Sequence, residues 1–258
     1  ALQLYNGGAR SAPNGAHDTD KKRASRQCMD DHLKKSAAQI NVCLECNVAC
    51  EEVLRGPPTP GAESPRVVQN KPNNPRSRGV VLADRRPWEH HVCILEYNGS
   101  NHDTLMIAVR KRNFVALEVL YAHNMNEKPN CNSRLLICKA TSHRPIYSFG
   151  KEIIIFAAHG HYETMKKPFS PHYQRFWDTV KWGMMHFNPH FFVGDFNMAL
   201  MLVPKELSCR GLPCHVLAYY PWAFLDLKCP HEPTIGLDSC GIFYVRRGAV
   251  ESRVNWPA

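Results

Sequence analysis

Pro189-His190-Phe191-Phe192-Val193-Gly194-Asp195-Phe196-Asn197-Met198 is the stretch on which the fold turns: an apolar run reaches a glycine, and an aspartate and an asparagine follow two positions apart. Residues i and i+2 of a strand point to one side, so a strand that continues past Gly194 projects Asp195 and Asn197 together from its carboxyl end. A carboxylate beside an amide can grip a metal ion, an attacking water or a phosphate group. Gly, Asp and Asn also close ordinary turns, so spacing alone leaves an Asx turn at the end of a buried strand as the plainer alternative.

Directly upstream lies the clearest helical pattern in the chain. Ser170 suits an N-cap and Pro171 a first turn, and Phe176, Val180, Met184 and Phe187 recur on one face, with Gln174, Arg175, Asp178 and Lys181 on the other. Before it, Glu152 to Ala158 carries three consecutive isoleucines, the mark of a strand buried on both faces. Together these segments predict a strand–helix–strand unit beginning at Ile153 and ending at Gly194. Further strands are expected at Leu2–Tyr5, Gln39–Cys46, Val92–Leu95, Leu105–Val109, Val115–Tyr121, Arg134–Ala140, Val216–Tyr219, Phe224–Leu227 and Gly241–Val245. Asn98-Gly99-Ser100-Asn101 predicts a hairpin turn. Helices are expected over Ala24–Ala38, from the recurrence of Met29, Leu33 and Ala37, over Asn47–Leu54, and near Pro204–Leu207. Residues 56 to 79 hold prolines at 57, 58, 60, 65, 72 and 75 and read as a loop excursion from a single domain spanning residues 1–258.

The bulk numbers agree with a globular α/β chain. It has 258 residues, of which 44% are hydrophobic, enough for a sizeable core. No run approaches the 18 or so apolar residues of a membrane span, and the first residues lack the layout of a signal peptide, so no membrane partner is expected. Because the chain starts at Ala1 rather than Met, a fragment or processed product is expected. The formal charge of +9 favours anionic partners such as nucleic acid, although Lys21-Lys22-Arg23, Lys34-Lys35, Arg76, Arg78 and Arg85-Arg86 also suit a solvated surface. The 11 cysteines show no compact repeat. Cys43, Cys46 and Cys50 lack an evident fourth zinc ligand, so reduced, buried thiols in an intracellular compartment are expected.

Polar or ionisable residues end several of these strands: Asn6, Glu45, His159 with His161, Asp195 with Asn197, and Asp238 near the last strand. The carboxyl ends of strands are where sites assemble in α/β folds. Gly194-Asp195-Phe196-Asn197 after an apolar strand resembles the signature of the endonuclease/exonuclease/phosphatase superfamily, the DNase I-like proteins. Leu44-Glu45 resembles the family's Gln-Glu step, Asn6 its first-strand asparagine, and Asp238 in Leu237-Asp238-Ser239-Cys240 its late Ile-Asp-Tyr aspartate. Ala157-Ala158-His159 and His159-Gly160-His161 stand where the family has Asn-x-His, without the asparagine.

The resemblance implies two mixed β-sheets packed face to face with helices on their outer faces. It implies a Mg²⁺ (or Mn²⁺) ion held by Glu45 with help from Asn6. It gives His159 or His161 to a phosphate oxygen or to acid assistance, and Asp195 with Asn197 to the attacking water and the phosphoryl group. The implied activity is phosphoester hydrolysis, with nucleic acid as the expected substrate and inositol phosphates or other small phosphoesters as an alternative. One departure stands out: the family closes with Ser-Asp-His, whose histidine pairs with the late aspartate, and here no histidine follows His231. A last strand beyond this sequence, a substituting histidine, and a silent domain that binds nucleic acid or protein are the readings left open.

Overall fold

The computed structural model describes residues 2–6, 33–44, 66–70, 79–83, 90–98, 101–122, 134–146, 149–200, 202–212, 216–219 and 240–245. Their strands are β1 (Leu2–Asn6), β2 (Ile40–Leu44), β3 (Arg66–Asn70), β4 (Gly79–Ala83), β5 (His91–Asn98), β6 (Asn101–Arg110), β7 (Phe114–Ala122), β8 (Arg134–Ile146), β9 (Gly150–His159), β10 (Phe191–Asp195), β11 (Val216–Tyr219) and β12 (Cys240–Val245). The helices are α1 (Tyr162–Met165), α2 (Pro171–Phe187) and α3 (Leu202–Cys209).

The strands form two six-stranded sheets, ordered β1-β2-β6-β5-β4-β3 and β11-β12-β10-β9-β8-β7. Each sheet is mixed, for β1 and β2 run parallel, as do β9 and β10, while the other pairs are antiparallel. Alternation along the strands builds two apolar layers. Leu4, Val42, Ile107, Ile155, Ala157 and Val193 belong to the core between the sheets. Their neighbours of opposite parity, Phe156, Ala158 and Phe192, face outward and are covered by Phe176, Trp177, Val180 and Met184 of α2 and Val203 and Leu207 of α3. Both faces of β9 are thereby buried, as its isoleucine run predicts.

Helix α2 begins as the sequence indicates: Ser170 Oγ accepts from the Tyr173 N–H at 3.2 Å, with Pro171 in the first turn. It ends at Asn188, whose left-handed φ of 47° carries the backbone out of the helix. Arg210 fastens α3 to α2. Its guanidinium donates to Glu206 and to Gln174 Oε1 (2.7 Å) and lies 5.9 Å from the ring centre of the fully buried Trp177.

Some local expectations change. The helix expected to reach Ala38 is over by residue 35, because Ser36 turns its hydroxyl onto the Ala38 N–H (3.1 Å) and starts a turn. Within the expected 56–79 excursion, Arg66–Asn70 form β3 and pair with β4. The prolines did not forbid this, since Pro65 and Pro72 flank the strand and β3 is an edge of its sheet. Strand β8 runs on from Ala140 to Ile146. The segments expected at residues 47–54 and 224–227 lie outside the described residues, as does the helix before residue 33. Among the described cysteines, Cys43, Cys93 and Cys138 are buried free thiols and Cys209 is exposed.

Gly194 sits where β10 meets β9, and a Cβ there would collide with the Ala158 carbonyl. Gly194→Ala is therefore expected to cost about 3 kcal/mol, read as a lower urea midpoint at unchanged slope. Tyr173, 2% exposed, carries a hydroxyl pushed well above its usual value, first by burial and then by its hydrogen bond to Glu206. A raised folded-state value means that this contribution is complete below the unfolded value of about 10 and is lost as pH rises through the folded one. In thermal melts taken from about pH 8 to about pH 11, Tyr173→Phe should flatten the alkaline fall in stability.

Candidate active site

The site is built on the parallel join of β9 and β10. Register pairs Ile155 with Phe191, Ala157 with Val193 and, at the carboxyl ends, His159 with Asp195. Ile155, Ala157 and Val193 belong to the inter-sheet core, so alternation gives His159 and Asp195 that same side. Both are nearly enclosed, at 8% and 6% exposure. An imidazole and a carboxylate thus occupy adjacent strand ends, about one inter-strand spacing of ~4.8 Å apart along the backbone.

The ladder continues one step, with the Gly160 N–H donating to the Asp195 carbonyl at 2.8 Å. The chain then turns through Phe196, which is fully buried, 4.8 Å from Phe192 between ring centres and stacked on Trp177. Asn197 follows in the left-handed region at φ 48°. Its N–H donates to Asp195 Oδ1 at 2.9 Å, and its Nδ2 donates to the Gly160 carbonyl at 2.6 Å. The strand ends at Asp195, and Asn197 leaves it in the left-handed region, so the Asx turn forms and the two side chains do not project together along an extended strand. The aspartate closes the turn, and the asparagine ties the two strand ends together.

Gly160 was a missed participant. A Cβ there would meet the Phe196 carbonyl at 2.8 Å and Met165 Cγ at 3.0 Å, so the Asn197 clamp needs a glycine at 160. A glycine set between two histidines was the available signal. His161 lies on the far side of it as the N-cap residue of α1, half-buried and with no side-chain cap bond. His190, at the other end of β10, is a structural histidine: its Nδ1 accepts from the Ile154 N–H at 2.9 Å.

Asn6 ends β1 in register with Leu44, the last residue of β2. Glu45 follows directly and lies outside the described residues, as does Asp238. Strand β12 enters the sheet at Cys240, and it is Cys240 that pairs with Asp195. Among the described residues no three His, Cys, Asp or Glu side chains form a metal-binding group. Asp195 and Asn197 contribute a carboxylate and an amide oxygen, ligand types that suit a hard cation.

Comparison with solved structures places this architecture. D. rerio TDP2 complexed with single-strand DNA product matches at TM-score 0.51 and 13% identity, over 95% of this chain and 82% of that one. The fold is that of the endonuclease/exonuclease/phosphatase superfamily. A Bacteroides thetaiotaomicron protein of that superfamily matches the DNase I-like sandwich at TM-score 0.51 and 12% identity, over 95% of this chain and 82% of its own. The human nocturnin catalytic domain, solved with a bound sulfate anion, matches at 0.50 and 12%, with the same coverage of 95% and 82%. No protein-family model matches the sequence, and no curated protein matches it significantly. The likeness to the DNase I-like fold is thus one of architecture, with identity far below what carries individual functions.

The Asn197 clamp separates into a hydrogen bond and a backbone preference. Asn197→Gly keeps the left-handed turn and loses the Nδ2 bond, so it should cost about 1 kcal/mol. Asn197→Ala loses both and should cost about 1 kcal/mol more, measured by chemical denaturation of the variants side by side.

Proposed function

We propose that this chain is a phosphoester hydrolase acting at the β9–β10 join, with nucleic acid as its substrate. The observation that carries the reading is the register of His159 with Asp195 on the inter-sheet side of a DNase I-like sandwich. Hydrolysis of a phosphodiester needs a positioned water and stabilisation of charge developing on phosphoryl oxygens. Asp195 is the group that takes up the proton of that water or orients it, and Asn197 fixes the carboxylate by donating to one of its oxygens. His159 supplies an imidazole N–H to a phosphoryl oxygen. His161 stands next along the chain to assist, and Asp238 would orient a histidine. A Mg²⁺ or Mn²⁺ ion would be held by Glu45 with Asn6, and when bound it supplies Lewis-acid polarisation of a phosphoryl oxygen.

The net charge of +9 supports nucleic acid over a small phosphoester. So does the fold match to a protein solved with single-strand DNA product. A second reading, a binding module on the same fold that no longer cleaves, draws on Ala157, which stands where the resembled family has the asparagine of Asn-x-His.

A plasmid assay separates the two. With supercoiled plasmid and Mg²⁺, the wild type should nick, and Asp195→Asn, His159→Ala and Glu45→Ala should each lower the rate by about 10²-fold or more. Absence of nicking by the wild type, together with salt-sensitive DNA binding, would establish the binding module instead. Hydrolysis of small phosphomonoesters without nicking would assign the smaller substrate.

A further inference from the structure

The pole of the sandwich opposite the His159–Asp195 join carries a second concentration of chemistry. The turn between β6 and β7 reads Arg110-Lys111-Arg112-Asn113. Ile40 pairs with Val109, Phe114 with Ser142, and Thr141 with Glu152, so this turn lies over the beginnings of β2 and β9. The carboxyl ends of those strands, at Leu44 and His159, are at the far side. Strand β9 alone is 10 residues long, about 30 Å of extended chain.

The turn is held firmly. Arg110 Nε donates to the Ala38 carbonyl at 3.1 Å, its other guanidinium nitrogen donates to the Ser36 carbonyl, and its N–H donates to the Gln39 carbonyl at 2.9 Å. The Lys111 N–H reaches the His90 carbonyl at 3.1 Å, and the Asn113 carbonyl accepts from the His143 N–H at 3.0 Å. Around this fixed backbone is an open cavity of about 390 Å³ lined by His90, Arg110, Lys111 and Arg112. These lining residues share one recess. Burial, and then the positive charge of Arg112, hold the Arg110 guanidinium below its usual value. Lys34 and Lys35, exposed just before Ser36, and Arg144, exposed beside His143, extend the positive surface on separate segments.

We propose that this recess binds phosphate groups in the backbone of a nucleic-acid strand, at a site separate from the β9–β10 join. Lys111 and Arg112 supply the recognising donors, because Arg110 is committed to main-chain carbonyls. The flanking cations come from the end of a helix and from the β8 strand, a spread that suits successive phosphates on a chain rather than one small anion. A membrane surface is a poorer fit, since the exposed aromatic rings among the described residues, Tyr162, Phe169 and Trp182, lie on α1, between α1 and α2, and on α2. The site owes nothing to catalysis and stands or falls apart from the hydrolase reading.

The test is fluorescence anisotropy of the full chain with a labelled single-stranded oligonucleotide, with EDTA present so that no cleavage intrudes, across a salt series. Lys111→Gln/Arg112→Gln should weaken binding about tenfold and reduce the slope of log K against log salt by about 1.4, the value for two single-strand phosphate contacts. Lys181→Gln/Lys205→Gln removes the same charge from α2 and α3 and should leave the slope as in the wild type. If the double variant melts below the wild type, Arg112→Gln alone, at an exposed position, is expected to lower the slope by about 0.7. The proposal is overturned if the recess variants bind like the wild type, or if the control pair changes the slope equally. It also fails if inorganic phosphate or acidic phospholipid vesicles bind at the recess and the oligonucleotide does not.

Discussion

Everything in this structure that concerns the site depends on two parallel strands lying side by side. Strands β9 and β10 can pair in register to their last residues because position 194 carries no side chain to meet the Ala158 carbonyl. A parallel pair requires a crossover connection, and α2 is that connection, lying on the outer face of the sheet that it joins. Phe176, Trp177 and Val180 make the crossover an apolar layer over Phe156 and Phe192, each fully buried side chain contributing about 2 kcal/mol. The helix layer then reaches back to the site, because Phe196, set between Asp195 and Asn197, stacks on Trp177. The polar side chains are therefore placed by an aromatic one between them, and rigid packing behind a site is what holds its groups in position.

How much of this was visible in the sequence follows from how local each determinant is. The capped helix at 170–187 and the buried strand before it declare themselves by periodicity and by the Ser170-Pro171 start, and both stand within a residue or two of expectation. Strand β3 was hidden because proline-rich composition outweighs a two-valine run when read locally, and only the edge position makes that run a strand. The double duty of Asn197 could not be read from spacing at all, because its amide partner, the Gly160 carbonyl, is 37 residues away. The pairing of Cys240 with Asp195 is likewise a matter of register, which is set by where β12 begins pairing and not by motif resemblance.

The structure also sorts the histidines, of which the sequence has 14. His190 accepts from a strand N–H and packs edge-on against Phe149, His186 stacks on Trp182, and His143 reaches the Lys111 carbonyl. Each of these is explained by packing or by satisfying the main chain. His159 differs in kind, because its neighbour in register is a carboxylate at the end of the adjacent strand.

Charge is distributed by the same logic of local compensation. Lys139, in the middle of β8, lies 3.1 Å from Glu118 and 3.4 Å from Glu152. Arg210 is shared by Glu206 and Asp178 across α3 and α2. These cations are matched where they stand and add little to the field beyond a Debye length. The β6–β7 turn is built differently, with its basic side chains gathered around one recess and its main chain held by carbonyls of neighbouring segments. Main-chain carbonyls fix the position of that turn at one pole, while the histidine and carboxylate occupy the other. Strand β9, 10 residues or about 30 Å of extended chain, separates the two along the sheet.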